Sequence, residues 1–213
     1  MLVPQALRNT GGPALRSPRE RCFRSEAISA TLRVIASPAI LLPRHARAIQ
    51  WGSAASALRS DSWDGFPRTL REVLACIAEC QIPNVVFVSG DEHLSCVARV
   101  EIEAKGYAPV VLHSVHSSPL YAPFPFANSQ RADLVANDNF LLDAIAEPQP
   151  VEAERRVNCG DRIGRLCCHV ETEFGPPGDG FSVLRFSRSE NGWTMSCDFD
   201  RAKGSVTIVR KLS

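Results

Sequence analysis

The apolar run "NVVFVS" (84–89) stops at Gly90, and Asp91, Glu92 and His93 follow at once. A carboxylate and an imidazole two residues apart suit a borderline divalent ion such as zinc, manganese or iron, or the transfer of a proton. Beyond the carboxyl end of a strand in an α/β sheet is where ligands gather, and a glycine there permits a sharp turn. Asp91 and His93 would then both reach the crevice, with Glu92 pointing away. Two ligands do not hold a metal, which takes three or four. On these residues alone the simpler account is a capped strand end, with Asp91 accepting backbone N–H bonds and His93 packed.

The other chemistry-bearing residues read more plainly. His113 and His116 lie three apart in "VLHSVHSS"; on a strand that odd spacing sends them to opposite faces, as incidental histidines and not a ligand pair. His169 follows the adjacent Cys167 and Cys168 and is expected to be structural. His45, flanked by arginines, is expected to be exposed. "PPGDG" (176–180) is a turn and no phosphate cradle, because no helix N-terminus follows it. The aromatic, proline-rich "LYAPFPF" (120–126) is expected to plug a core. Eight cysteines include no CxxC pair, which argues against a structural zinc site and for free thiols in a reducing compartment.

These residues need a scaffold, and the patterning supplies one. "TLRVIASPAILL" (31–42) reads as a strand running into a loop at Pro38. A helix is expected from Arg68, where Leu70, Val73, Leu74 and Ile77 form one apolar stripe. Pro67 suits its first turn, and Pro83 closes the segment. "NVVFVS" is too apolar and β-branched for a half-exposed strand, and should be interior and covered on both faces. "CVARVEIE" (96–103) alternates, with Val97, Arg99, Glu101 and Glu103 on one parity. "APVVLHSV" (108–115) is a further strand, and a short helix is expected near 138–146. The last third, through "EAERRVN", "GRLCCHVETEF", "GFSVLRFSRS", "GWTMSCDF" and "GSVTIVRKL", reads as an antiparallel meander of strands between Gly, Asn and Asp turns.

Bulk composition narrows the class. The chain has 213 residues, 45% hydrophobic and 22% charged, with a formal net charge of +1. That balance is ordinary for a soluble globular protein and gives no argument for a nucleic-acid or membrane partner. Residues 1–50 carry eight arginines against Glu20 and Glu26, so about +6, which leaves about −5 for the rest. Residues 1–30 are expected to be an Arg-rich, poorly ordered leader. No secretory apolar segment follows Met1 and no 18 apolar residues run together, so a cytoplasmic location is expected.

Taken in order, "LRVIASP" (32–38), "DSWDGFPRTLREVLACI" (61–77), "SGDEHLS" (89–95), "SSPLYAPFPFAN" (117–128) and "GDGFSVLRF" (178–186) resemble the C-terminal portion of PhoD-like metallophosphatases, the alkaline phosphatase D family. The resemblance spans roughly residues 30 to 210. It implies an α/β fold: part of a metallophosphoesterase sandwich of mixed β-sheets flanked by helices, with a β-rich C-terminal meander. Residues 31–147 would form the distal half of the phosphatase domain and 148–213 its β-rich end. It further implies hydrolysis of phosphate esters by metal-activated water, with divalent metal ions as cofactors. His93 matches the final metal-binding His, and Asp91 stands where the first His of that motif commonly lies. Trp63 and Asp64 fall in the segment that lies near the substrate, though a turn around a packed aromatic explains them as well.

The departure from the family pattern is upstream. Before residue 84 there is no Asp-x-His and no Gly-Asn-His, and the segment holds only Asp61 and Asp64 as aspartates and His45 as a histidine. Most of the expected metal cage is missing, which leaves two expectations. One is the distal part of a phosphoesterase whose remaining ligands come from elsewhere, for instance a complementing N-terminal half. The other is a non-catalytic remnant or interaction domain, self-associating through an exposed apolar face.

Overall fold

The computed structural model describes residues 31–46, 62–90, 93–120, 130–144, 162–201 and 204–212. The expected leader, the strand expected at "EAERRVN", the aromatic loop and Asp91 lie outside them. Nine strands and one α-helix are found among the described residues: β1 (Arg33–Ala36), α1 (Pro67–Glu79), β2 (Val85–Ser89), β3 (Cys96–Ala104), β4 (Val110–His116), β5 (Asn137–Asp143), β6 (Arg165–Phe174), β7 (Gly180–Ser189), β8 (Gly192–Arg201) and β9 (Gly204–Lys211).

Six strands form a mixed sheet in the order β1-β2-β4-β3-β6-β5. β2 runs parallel to both β1 and β4, and the pairs β4–β3, β3–β6 and β6–β5 are antiparallel. Strands β7, β8 and β9 form a separate antiparallel sheet.

Alternation divides the first sheet into two faces. On one, Val85, Phe87, Val100, Ile102, Leu112, Leu166 and Cys168 pack under α1, which contributes Leu70, Leu74, Ala75, Ile77 and Ala78. The helix starts on Pro67. It closes with Gln81 in the left-handed region (φ 50°), while the Ile82 N–H reaches back to Ile77 O at 3.0 Å. On the other face Val86, Val97 and Val115 meet Met195, Cys197, Phe199 and Ile208 of the second sheet. β2 is thus covered on both sides, as its composition requires. The second sheet covers only part of that face: farther along β3, Arg99 and Glu101 are half-buried and Glu103 is exposed.

Two expectations are corrected. The segment expected to be a helix near 138–146 is strand β5, because Asp138 and Phe140 turn inward while Asn137, Asn139, Leu141 and Asp143 turn out. That period of two pairs with β6, and strand pairing overrides the helix propensity of Leu141 and Leu142. Asp138 is tolerated inside because Arg44 holds it at 2.7 and 3.0 Å and lies 4.0 Å over the Phe140 ring. Second, "GRLCCHVETEF" leaves the expected meander and becomes β6, in register with β3 in the first sheet. Among the described residues α1 is the single α-helix that flanks the sheets. No helix among them is long and apolar enough to cross a membrane.

Candidate functional site

The parallel strands β1, β2 and β4 end together, at Ala36, Ser89 and His116, and antiparallel pairing brings the start of β3 and the end of β6 to the same edge. Cys96 faces both His116 and Phe174 across the ladders. The run from His93 to Ser95 therefore lies at the carboxyl edge, where a ligand crevice is expected.

The backbone there is tied down. The Ser117 N–H donates to Ser89 O at 3.0 Å, the Gly175 N–H to Ser95 O at 2.8 Å, and the Gly180 N–H to Pro119 O at 3.0 Å. Gly90 is not in the left-handed region, and a Cβ there would meet Ser117 O at an ordinary 3.5 Å. The strand end does not depend on glycine as the sequence suggested.

His93 is the predicted ligand that can be placed. Its Nδ1 lies 3.1 Å from Asp179 Oδ1, with the two side chains 16% and 35% exposed. In a neutral ring the Nδ1–H donates to that carboxylate, leaving the Nε2 lone pair free to bind a metal or accept a proton. Asp179 belongs to "PPGDG", read from sequence as a mere turn. It is a turn, and it also carries the carboxylate that orients His93. Nothing local could have revealed this, since the partners are far apart in sequence and are brought together by β6 and the second sheet.

A buried polar network lies beside the pair. Ser95 Oγ accepts from the Ser118 N–H at 3.1 Å and from the guanidinium of Arg201. Arg201 also donates to the Phe181 and Asp200 carbonyls, each at 2.7 Å. Ser95, Ser118 and Arg201 are 2%, 4% and 5% exposed. Burial lowers the Arg201 pKa, and Cys197, Asp200 and Asp179 oppose that effect. Ser89 Oγ pairs with His116 Nδ1 at 2.9 Å, and Ser117 Oγ with Ser182 Oγ at 2.7 Å. These contacts tie the end of β2 to β4, and pin the approach to β3 and the residue after β4 to the second sheet.

His113 and His116 sit on opposite faces, as their spacing requires, and both are buried. His45 is half-buried and not exposed as expected: it bridges to Leu134, and its N–H donates to Asp64 Oδ2 at 2.8 Å. Asp64 is 6% exposed and also accepts from Ser62 Oγ at 3.3 Å. Burial raises its pKa, against the opposing pull of His45, Arg44 and Ser62. The Trp63 Nε1–H donates to Ser37 Oγ at 2.9 Å, just past the end of β1, so the indole is anchored at the same sheet edge.

Among the described residues, His93 is not part of any group of three metal-ligating side chains. The one such group, Glu103, Cys167 and His169, lies near the other end of β3. The donors described around His93 therefore do not complete a metal centre.

A family model of the PhoD-like phosphatase matches residues 21–165, from before β1 to the start of β6; Asp179 and the second sheet lie outside it. No curated protein and no solved structure matches the chain. With about two thirds of its length matched, and "SWDGFP" and "SGDEHLS" both within that match, this chain belongs to the PhoD-like phosphatase family.

Proposed function

We propose that this chain is the distal part of a metal-dependent phosphoesterase acting on phosphate esters, in which His93 supplies one metal ligand through Nε2. The observation that carries this is the 3.1 Å contact between His93 and Asp179. Metal-ligating histidines generally hand their other ring nitrogen to a carboxylate, which fixes the tautomer and raises basicity. Bound divalent metal would supply an activated water and a clamp on phosphate oxygens. The chain's own part is to hold the imidazole still, with Nε2 turned away from Asp179. Ser95, Ser118 and Arg201 contribute by locking the strand ends behind it.

The remaining ligands have to come from outside the described residues, with Asp91 the nearest candidate, and from this chain or a complementing one. The two sheets joined through Val86, Val97, Val115 and Phe199 are compatible with part of a metallophosphoesterase sandwich. Contact of Trp63 and Asp64 with substrate rests on the resemblance, aided for Trp63 by its place at the sheet edge.

The test is hydrolysis of p-nitrophenyl phosphate and its bis ester by metal-stripped protein, with each divalent ion added back singly. Metal-dependent turnover should vanish in His93→Ala, and Asp179→Asn should weaken apparent metal affinity by about 10–100-fold. Turnover that needs no metal, or that survives in His93→Ala, refutes the assignment. Absence of turnover with every ion supports the second reading, a non-catalytic member that keeps the fold. Among the described residues, that reading is favoured by the incomplete donor set and by apolar residues exposed on the outer strands: Val34 and Ile35 on β1, Leu141 on β5.

A further inference from the structure

The part of the first sheet beyond the second sheet carries a second constellation that the phosphatase assignment does not use. Glu103 on β3 faces Cys167 on β6 directly, and His169, two residues along β6, stands on the same face. The side-chain donor atoms of all three lie within 4.8 Å of one another. Cys167 Sγ is 3.5 Å from His169 Nε2, and that nitrogen is 3.7 Å from Glu103 Oε2. On the far side of the ring, His169 Nδ1 is 2.7 Å from Asn139 Oδ1, on the neighbouring strand β5. An amide oxygen is acceptor only, so Nδ1 must carry the proton there. Nε2 is left with its lone pair aimed toward the thiol and the carboxylate.

We propose that Glu103, Cys167 and His169 form a three-donor site for zinc, with Asn139 positioning the imidazole. The spacing matches the ion. Tetrahedral zinc with bonds of about 2.3 Å to sulfur and 2.05 Å to nitrogen sets those two donors about 3.6 Å apart, and nitrogen and a carboxylate oxygen about 3.4 Å apart. The observed 3.5 and 3.7 Å need only small side-chain adjustments. Thiolate, imidazole and carboxylate together are the donor types zinc accepts, whereas magnesium and calcium take oxygen donors. Paired strands of one sheet are a rigid mount for such a site. Three protein donors leave a fourth position open to water or another ligand.

The site is independent of the proposed phosphoesterase centre. Seven residue steps of extended strand separate Cys96, at the His93 edge, from Glu103, a span of about 23 Å. The two assignments can therefore fail separately.

Titration of the metal-stripped full chain with cobalt(II), a spectroscopic substitute for zinc, tests this. One equivalent should produce a thiolate-to-cobalt charge-transfer band and the visible absorption of tetrahedral cobalt, and zinc should displace both. Cys167→Ser should abolish the charge-transfer band. Asn139→Ala should keep the band but weaken binding tenfold or more, and His93→Ala should leave the band and its affinity unchanged. No band in the wild-type chain, a band that persists in Cys167→Ser, or a band lost in His93→Ala overturns the site. Should Cys167→Ser fail to fold, Glu103→Gln decides, because the residue is exposed: a tenfold or larger loss of cobalt affinity supports the site, and unchanged affinity overturns it.

Discussion

Replacing His113 with leucine removes a titrating group from the middle of the sheet, and the size of the effect can be worked from its surroundings. His113 is 1% exposed, lies between Val86 of β2 and Arg99 of β3 in the ladder, and has no hydrogen-bond partner on Nε2. Burial, with the positive charges of Arg210 on β9 and Arg99, lowers its pKa from 6.5 to about 4. Above pH 6.5 the ring is neutral in both the folded and the unfolded chain and adds no pH dependence. Between 6.5 and 4 the unfolded chain takes up a proton that the folded chain refuses, so stability falls as pH falls. From pH 7.5 to pH 5 the loss is about 2 kcal/mol, and it reaches about 3 kcal/mol once pH drops through 4. His113→Leu has no proton to take. Urea denaturation at steps between pH 7.5 and 4.5 should therefore show the variant losing about 2 kcal/mol less than wild type by pH 5. At pH 7.5 the two should lie within about 1 kcal/mol, because the leucine also removes a buried, unpaired ring nitrogen. Parallel pH profiles for the two proteins, or an NMR titration placing His113 near 6.5, would refute the reasoning.

Two stability predictions follow from the packing. A Cβ on Gly180 would lie 2.1 Å from Asp200 O and 2.6 Å from Arg201 Cδ, so Gly180→Ala must displace the β7–β8 ladder. It should cost about 1–3 kcal/mol in chemical denaturation, and unchanged stability would mean that this edge gives way easily. Asp138 is 9% exposed, and its carboxylate is held bidentately by Arg44. Asp138→Ala leaves that guanidinium unpaired beside Phe140 and should cost about 2–4 kcal/mol, part of it spared because Arg44 is partly solvated; a loss under about 0.5 kcal/mol, the scale of an exposed pair, would show that water replaces the carboxylate.

Local patterning was enough for the elements whose period is unambiguous. The stripe of Leu70, Leu74 and Ile77 made α1, the unbroken apolar run made β2 an interior strand, and alternation made β3. Family membership was also legible, because "SWDGFP" and "SGDEHLS" are short contiguous motifs. Pairing between distant strands was not legible. β5 is a strand because β6 accepts it, and β6 joins the first sheet because β3 presents a matching edge; neither partner is visible from within the segment itself. The same holds for both candidate sites. Asp179 looked like a turn residue and His169 like a structural histidine, since a ligand set or an orienting carboxylate is defined by distances of a few ångströms between strands far apart in sequence. The sequence determined which residues could do chemistry, and the sheet register decided which of them meet.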